Sequence, residues 1–340
     1  MMSNAINTYK EIISDFANPE NAQVSHLNRS ILLSNKIRLL YVVMAIRHQR
    51  ILAVMLPNDY DKVAVERFPK WQGISTKVGN ISAYENDNDE HNYVIISQAQ
   101  ENDSGIFEIV ANDIVSQLEK VSNPSGVVRC LSATLQKWKK FFEINHEVIM
   151  SEQSQQGLYG ELLLLKRFIP IWGDETVKFW CGAEKETHDF YINGNAIEVK
   201  TTSAKSNEKI KINSEQQMDC ADVDNNLFLY VNMVRKSIAD GEKLPNIVDD
   251  IINMLDSEET QDLFLEKLFD YGYIPSCPEK YIVGFFLRAK KCYSVIDSFP
   301  CITSKSIPVG ISDVSYSIDL NVCNDYQIEW NELLRKIKEA

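Results

Sequence analysis

The chain is short of positive charge, has no paired-cysteine spacing and has no long apolar run, and each lack argues against a class of function. Its 340 residues carry 35 lysines and arginines against 48 acids, a formal net charge of −13. Nonspecific binding to a nucleic-acid backbone is driven by lysine and arginine releasing counterions, so the whole-chain field opposes it. A local basic rim, a bound cation or a partner would have to overcome that field. The seven cysteines, Cys130, Cys181, Cys220, Cys277, Cys292, Cys301 and Cys323, are odd in number and contain no Cys-x-x-Cys. That argues against a disulfide framework and a structural zinc site. No apolar stretch approaches the ~20 residues that cross a bilayer, and the first residues lack a cationic start followed by an apolar segment. The expectation is a soluble, cytoplasmic protein. The five histidines, His26, His48, His91, His146 and His188, show no His-Glu-x-x-His spacing. Neither a Gly-x-Ser-x-Gly elbow nor a glycine-rich phosphate loop occurs.

What is present is concentrated in His188-Asp-Phe-Tyr-Ile-Asn-Gly-Asn-Ala-Ile-Glu-Val-Lys200. Asn-Gly between two β-prone runs marks a two-residue hairpin turn, because both central positions need positive φ. With Asn193 and Gly194 as the loop, Ile192 pairs with Asn195, Tyr191 with Ala196, Phe190 with Ile197, and Asp189 with Glu198. Side chains alternate faces along a strand, so Asp189, Tyr191, Ala196, Glu198 and Lys200 share one face, and Phe190, Ile192, Ile197 and Val199 a core face. Opposed acids about 5 Å apart are destabilising unless something neutralises them. A divalent cation does so naturally: Mg²⁺ binds through one or two carboxylates and keeps several waters. Lys200, on the same face, would orient or deprotonate a water. The solvated face of an edge hairpin has the same composition, and a one-residue slip would break the pairing.

A third acid weighs between these readings. Gln155-Gln-Gly-Leu-Tyr-Gly-Glu-Leu-Leu-Leu-Leu-Lys-Arg-Phe168 reads as a buried helix with Ser151 or Ser154 near its start. At 100° per residue Glu161 falls inside the apolar arc, flanked by Leu164, Leu165 and Phe168. Acids are seldom placed there without a partner. Gly157 and Gly160 beside it would let another backbone or a ligand come close despite glycine's helical cost. The competing reading has Glu161 reaching past the core edge to solvent or to an arginine.

A helix with Glu161, a strand at 177–180, the hairpin, then a helix and a strand give the order α-β-β-β-α-β. With these acids, the chain resembles the PD-(D/E)xK nuclease superfamily, the fold of many restriction endonucleases. The resemblance covers the mid-150s to the mid-230s. It implies Asp189 and Glu198 as metal ligands, Lys200 as the water-activating or charge-stabilising group, Glu161 as an additional acid and metal ligand, and the Val199 carbonyl as a further ligand. It implies Mg²⁺ or Mn²⁺ as cofactor and DNA as substrate. His188 stands where the name-giving proline would, either as a substrate contact or as a strand residue facing the core. The wider pattern Gly-Leu-Tyr-Gly-Glu-Leu, Asp189 and Ile-Glu-Val-Lys-Thr-Thr202 resembles bacterial PD-(D/E)xK proteins of restriction-modification-like and phage-defence loci. Protein partners in a defence or restriction assembly are implied, and a homodimer would supply the paired sites that double-strand cleavage needs. A noncatalytic docking or DNA-binding subunit of the same fold is the alternative.

Around this core the reading is coarser. Residues 210–218 read as a short strand running into a helix, with Ser214 and Gln217 in capping-box spacing. Gln217 suits that cap, or a phosphate or water. Thr201, Thr202, Ser203, Lys205, Lys209 and Lys211 follow the hairpin, and such groups commonly contact phosphates, as they commonly fill solvated loops. Residues 199–211 hold four lysines and only Glu208, whereas 237–270 hold ten acids against Lys243 and Lys267. Residues 227–234 read as a buried strand. Two domains are expected: 1–148, an α+β unit for target recognition or partner docking, and 149–340, the nuclease-like domain with its core at about 152–235. In the first, strands are expected at 38–45, 51–56 and 93–97, a polar acidic loop at 80–92, and helices at 106–120 and 127–148. In the second, the carboxy-terminal strands fall near 281–287 and 315–322, with a last helix near 330–338. The fold class is α/β with mixed α+β character.

Overall fold

The computed structural model describes residues 4–69, 71, 73–82, 84, 91–99, 104–144, 148–184, 186–203, 209–221, 223–296 and 298–339. Contacts divide the chain into two compact units, Met1–Val148 and Ile149–Ala340. Among the described residues no helix is long and apolar enough to cross a membrane.

The first unit runs α1 (Ala5–Asp15), β1 (His26–Leu32), β2 (Arg38–Met44), β3 (Arg50–Met55), α2 (Lys62–Glu66), β4 (Ile74–Gly79), β5 (Tyr93–Gln98), α3 (Ser104–Glu119) and α4 (Val127–Ile144). The strands form one antiparallel sheet in the order β1-β2-β3-β5-β4. The three expected strands are its centre. Edge strands β1 and β4 were not anticipated, because exposed residues interrupt their apolar pattern. Helices α1 and α3 are fixed by buried polar bonds: Tyr9 Oη donates to the Ile51 carbonyl at 2.8 Å, and Ala5 N to Asn112 Oδ1 at 2.9 Å. Most of the expected acidic loop, residues 83 and 85–90, lies outside the described residues, as do 145–147 at the end of the expected second helix.

The second unit runs α5 (Glu152–Trp172), α6 (Thr176–Phe179), β6 (Phe190–Ile192), β7 (Asn195–Thr202), β8 (Lys209–Ile212), β9 (Leu227–Ser237), β10 (Glu242–Lys243), α7 (Leu244–Met254), α8 (Glu258–Tyr271), β11 (Gly284–Val295), β12 (Tyr316–Asp319), β13 (Gln327–Ile328) and α9 (Trp330–Glu339). Its main sheet has the order β10-β11-β9-β7-β6, with β13 also paired to β11 and β8 paired to β12 apart from it. The sheet is mixed, since β7 and β9 are parallel and β6 and β11 antiparallel to their neighbours.

The expected α-β-β-β-α-β order is corrected in two places. Residues 177–180 are not a strand: Thr176–Phe179 is a helical turn, and Trp180 makes only a single bridge to Phe190. Val177 and Trp180 are both fully buried, which an i, i+3 spacing achieves on one side of a helical turn and strand alternation does not. Among the described residues no α-helix joins β7 to β9 either. The connection passes through β8 and a 3₁₀ turn at Glu215–Met218, and the long helices α7 and α8 follow β9.

Both faces of the sheet are covered, which is why β9 reads as a continuous apolar run. Phe228, Tyr230 and Val234 pack with α5, α7 and α8 residues in one core. Leu227, Leu229 and Val231 pack with β8, β12 and Tyr293 in another. Helix α5 lies against β7 and β9 at Gly160, whose carbonyl accepts a 3.1 Å bond from the buried Asn232 Nδ2. A Cβ at Gly160 would overlap Thr201 Oγ1 and sit 3.0 Å from both Thr201 Cβ and Asn232 Nδ2. The close approach expected of this glycine is therefore made by β7 and β9.

Candidate active site

The hairpin forms in the register its turn dictates. Asn193 and Gly194 have φ of 49° and 71°, and Ile192 pairs with Asn195, Tyr191 with Ala196 and Phe190 with Ile197. Asp189 lies one residue before the ladder begins. Its Oδ2 accepts the Val199 amide at 2.7 Å, and its carbonyl accepts the Cys181 amide at 2.8 Å. The two bonds hold the carboxylate beside β7. In a strand the N–H and C=O of one residue face the same edge, so the Val199 carbonyl also faces the Asp189 side.

Glu198 is 1% exposed. Its Oε1 meets Lys200 Nζ at 2.6 Å, and its Oε2 lies 3.7 Å from His188 Nδ1 and accepts no hydrogen bond among the described residues. His188 is buried, as the core-facing reading had it. Lys200 Nζ also donates to Gln217 Oε1 at 3.0 Å, and the same oxygen accepts the Asn213 amide at 2.9 Å. Gln217 thus does not close a capping box on Ser214, whose side chain accepts the Gln216 amide instead. Its side chain steadies the Lys200 ammonium.

Glu161 comes to the same place from α5, 5% exposed, and neither solvent nor an arginine receives it. Tyr271 Oη donates to its Oε1 at 2.6 Å and Trp180 Nε1 to its Oε2 at 2.8 Å. Gly182 makes room, since a Cβ there would overlap Glu161 Oε2 and lie 3.0 Å from Trp180 Nε1. Trp180 is in turn held by the buried Lys267, whose Nζ donates to its carbonyl at 2.6 Å and pairs with Glu184 at 2.9 Å. Sequence reasoning missed Tyr271, Trp180, Gly182 and Lys267. Trp180 carried a faint signal, because a buried indole N–H needs an acceptor. Tyr271, 110 residues from Glu161, carried none.

Glu161, Asp189, Glu198, Val199, Lys200, Thr201, Thr202 and Gln217 all line one polar cleft of about 830 Å³, together with Lys209, Lys211, Lys236 and Tyr271. Thr201 faces α5, its carbonyl accepting Gln156 Nε2 at 2.6 Å. Lys205 lies outside the described residues. Electrostatics record the crowding. Burial pushes the Glu161 carboxyl up to about 7, with the Glu198 charge adding to it and bonds from Tyr271 and Trp180 and the Lys200 charge opposing it. Desolvation, then the Glu161 and Glu198 charges, push Asp189 well above the usual carboxylate range. Glu161 and Asp189 thus accommodate the crowding of negative charge by favouring protons.

Residues 13–321 match the DUF4420 family, whose description reads "Putative PD-(D/E)XK family member". The chain belongs to that family. No curated protein and no solved structure matches it. In this DUF4420 chain, Asp189, Glu198 and Lys200 stand where the PD-(D/E)xK pattern was read in the sequence.

Among the described residues no group of three or more His, Cys, Asp or Glu side chains forms a metal cage. The donors suit an open site instead: Asp189, the bond-free Glu198 Oε2 and the Val199 carbonyl offer oxygens, and a hard cation would complete its shell with water. Both oxygens of Glu161 are already engaged.

Proposed function

We propose that this chain is a Mg²⁺- or Mn²⁺-dependent DNA endonuclease acting in the cytoplasm as part of a bacterial restriction or phage-defence system. The observation that carries the reading is the meeting of Glu161, Asp189, Glu198 and Lys200 in one polar cleft. A scaffold has no need to keep three acids in mutual repulsion at a cost in stability.

Asp189, Glu198 and the Val199 carbonyl would hold the ion, with Glu161 as the additional acid. When bound, such an ion polarises a phosphoryl oxygen and lowers the pKa of water. Lys200 contributes its ammonium, fixed between Glu198 and Gln217, to orient the attacking water or stabilise charge building on the phosphate. Gln217 sets the direction of that ammonium. Trp180 and Tyr271 hold Glu161 in one rotamer, so its carboxylate does not have to reorganise during reaction. Thr202 and Lys205, at and just beyond the end of β7, are the proposed phosphate contacts, whereas the Thr201 hydroxyl is buried against Gly160. A homodimer would cut both strands, and partner proteins in the defence assembly would add to the DNA affinity of a chain of net charge −13.

A noncatalytic docking or DNA-binding subunit is the second reading, favoured by one observation. Lys200 Nζ is already satisfied by Glu198 and Gln217, a closed arrangement that a structural ion pair also adopts.

Supercoiled-plasmid nicking by purified protein in Mg²⁺ or Mn²⁺, beside Asp189→Ala and Lys200→Ala prepared identically, tests the proposal. Nicking by the parent that both substitutions abolish is the expected result. A folded parent that nicks with neither metal would move the assignment to the docking subunit or to an enzyme lacking its partner.

A further inference from the structure

Side chains of paired residues share a sheet face, so the face carrying Glu198, Lys200 and Thr202 can be followed across the neighbouring strands. Lys200 is beside Val231 and Thr202 beside Met233 on β9. Val231 is beside Lys291 on β11, Met233 beside Ala289, and Arg235 beside Phe286. The first rows of this face are buried under the second core, and Met233 packs at its margin. The sheet surfaces from Lys291, in the Val231 row, onward: Lys291, Met233, Ala289 and Phe286 are half-buried, and Arg235 is exposed. Arg235 lies over the Phe286 ring, 4.1 Å from its centroid. Arg288 is the extra residue where the ladder shifts between Leu287 and Ala289, and it is exposed too. Bulges of this kind re-aim a side chain beside a site.

The exposed rows contain no acid, although the chain as a whole is strongly acidic. Neither Arg235 nor Arg288 is engaged by a carboxylate among the described residues. Arg235 stands one strand over and four residues along from Lys200, about 14 Å away by strand geometry. A cationic strip interleaved with apolar and aromatic side chains, meeting at Thr202 the cleft that Lys200 lines, matches the surface that follows a nucleic-acid backbone.

From this we infer that the sheet shelf formed by Thr202, Met233, Arg235, Phe286, Arg288 and Lys291 is the docking surface for the DNA backbone flanking the cleavage site. The inference rests on the nuclease reading for its choice of ligand. It also accounts for how an acidic chain engages a polyanion: the binding charge is local and lies beside the chemistry.

The experiment is fluorescence anisotropy of a fluorescein-labelled DNA duplex with the full chain, in EDTA and again in Ca²⁺, across a salt series. Arg235→Glu/Arg288→Glu is compared with Lys336→Glu/Lys338→Glu on α9, which makes the same change in net charge. The shelf variant is expected to bind at least about tenfold more weakly, and the α9 variant within about twofold of the parent. Arg235→Gln/Arg288→Gln should lower the slope of log K against log salt by about 2, at about 0.9 for each phosphate no longer neutralised. Equal weakening by shelf and α9 variants, or a parent that binds in neither condition, overturns the shelf. Plasmid nicking separates the two claims. A parent that nicks, with shelf variants binding as it does, keeps the nuclease and removes the shelf; a parent that binds through the shelf without nicking does the reverse.

Discussion

Two glycines three residues apart on α5 should respond to alanine with opposite signs. At Gly157 a Cβ would meet only Tyr271 Oη at 3.6 Å, an ordinary contact. Replacing a helical glycine there recovers about 0.5–1 kcal/mol of backbone entropy. At Gly160 the same gain is available, but the new methyl overlaps Thr201 Oγ1 and stands 3.0 Å from Thr201 Cβ and Asn232 Nδ2. Rotating the threonine hydroxyl away relieves one clash and leaves the Cβ, so α5 itself must lift from β7. Overpacking of this kind costs about 1–3 kcal/mol, and stretching the buried Asn232–Gly160 bond adds about 1 kcal/mol. The balance is a destabilisation of about 2 kcal/mol for Gly160→Ala against a stabilisation of up to about 1 kcal/mol for Gly157→Ala. Urea unfolding followed by tryptophan fluorescence reads both. Each kcal/mol also moves the melting temperature by about 2–4 °C in a unit of this size. Lifting α5 displaces Glu161, the next residue, so nicking by Gly160→Ala should fall at least about tenfold, since small misplacements of a reacting group are costly. A Gly160→Ala protein as stable as Gly157→Ala would refute the contact between α5 and the two parallel strands.

The acids of the cleft give the metal-free protein a distinctive pH dependence. Glu161 is raised from 4.5 to about 7, so the folded state holds a proton that the unfolded chain releases, and stability falls as pH rises from about 4.5 to 7 and is level above. The Glu161 part of that fall is at most about 3 kcal/mol, and unfolding of Glu161→Gln in EDTA should lack it; an unchanged pH profile would contradict the buried placement of this acid. Divalent cation should reverse the penalty. At one hundred times its dissociation constant, Mg²⁺ or Mn²⁺ should stabilise the parent by about 2.7 kcal/mol and leave Asp189→Asn nearly unmoved in a thermal melt, whereas equal shifts in both proteins would place the ion elsewhere.

What the sequence disclosed follows the range of the interactions involved. The Asn193-Gly194 turn sets a register over a few residues, so the positions of Asp189, Glu198 and Lys200 were legible from one segment. Glu161 was legible from the helical period, and Gly160 from its place beside it. Residues 177–180 misled because a short apolar run satisfies a strand and a helical turn equally well, and only burial on a common side decides. Gln217 misled because capping-box spacing fixes which residues are near, while the acceptor it offers is taken by Asn213 and Lys200. Residues 227–234 read as a buried strand, which β9 is, yet nothing local could say that β8 and β12 would form its second cover.

The same distinction separates the acids from the groups that hold them. A carboxylate inside an apolar arc announces that it must have partners, because burying it alone is costly, but the demand does not name the donor. Here the donors come from a helical turn 19 residues away and from the last residue of α8, 110 residues away. They are an indole and a phenol, residue types that any core would use. Lys267 is likewise an ordinary helical lysine in sequence, and only the fold turns it toward the Trp180 carbonyl. Charge in the cleft is therefore encoded locally and its orientation non-locally. Substitutions at Tyr271 or Lys267 should consequently act on the site through Glu161, although neither residue belongs to the motif that revealed it.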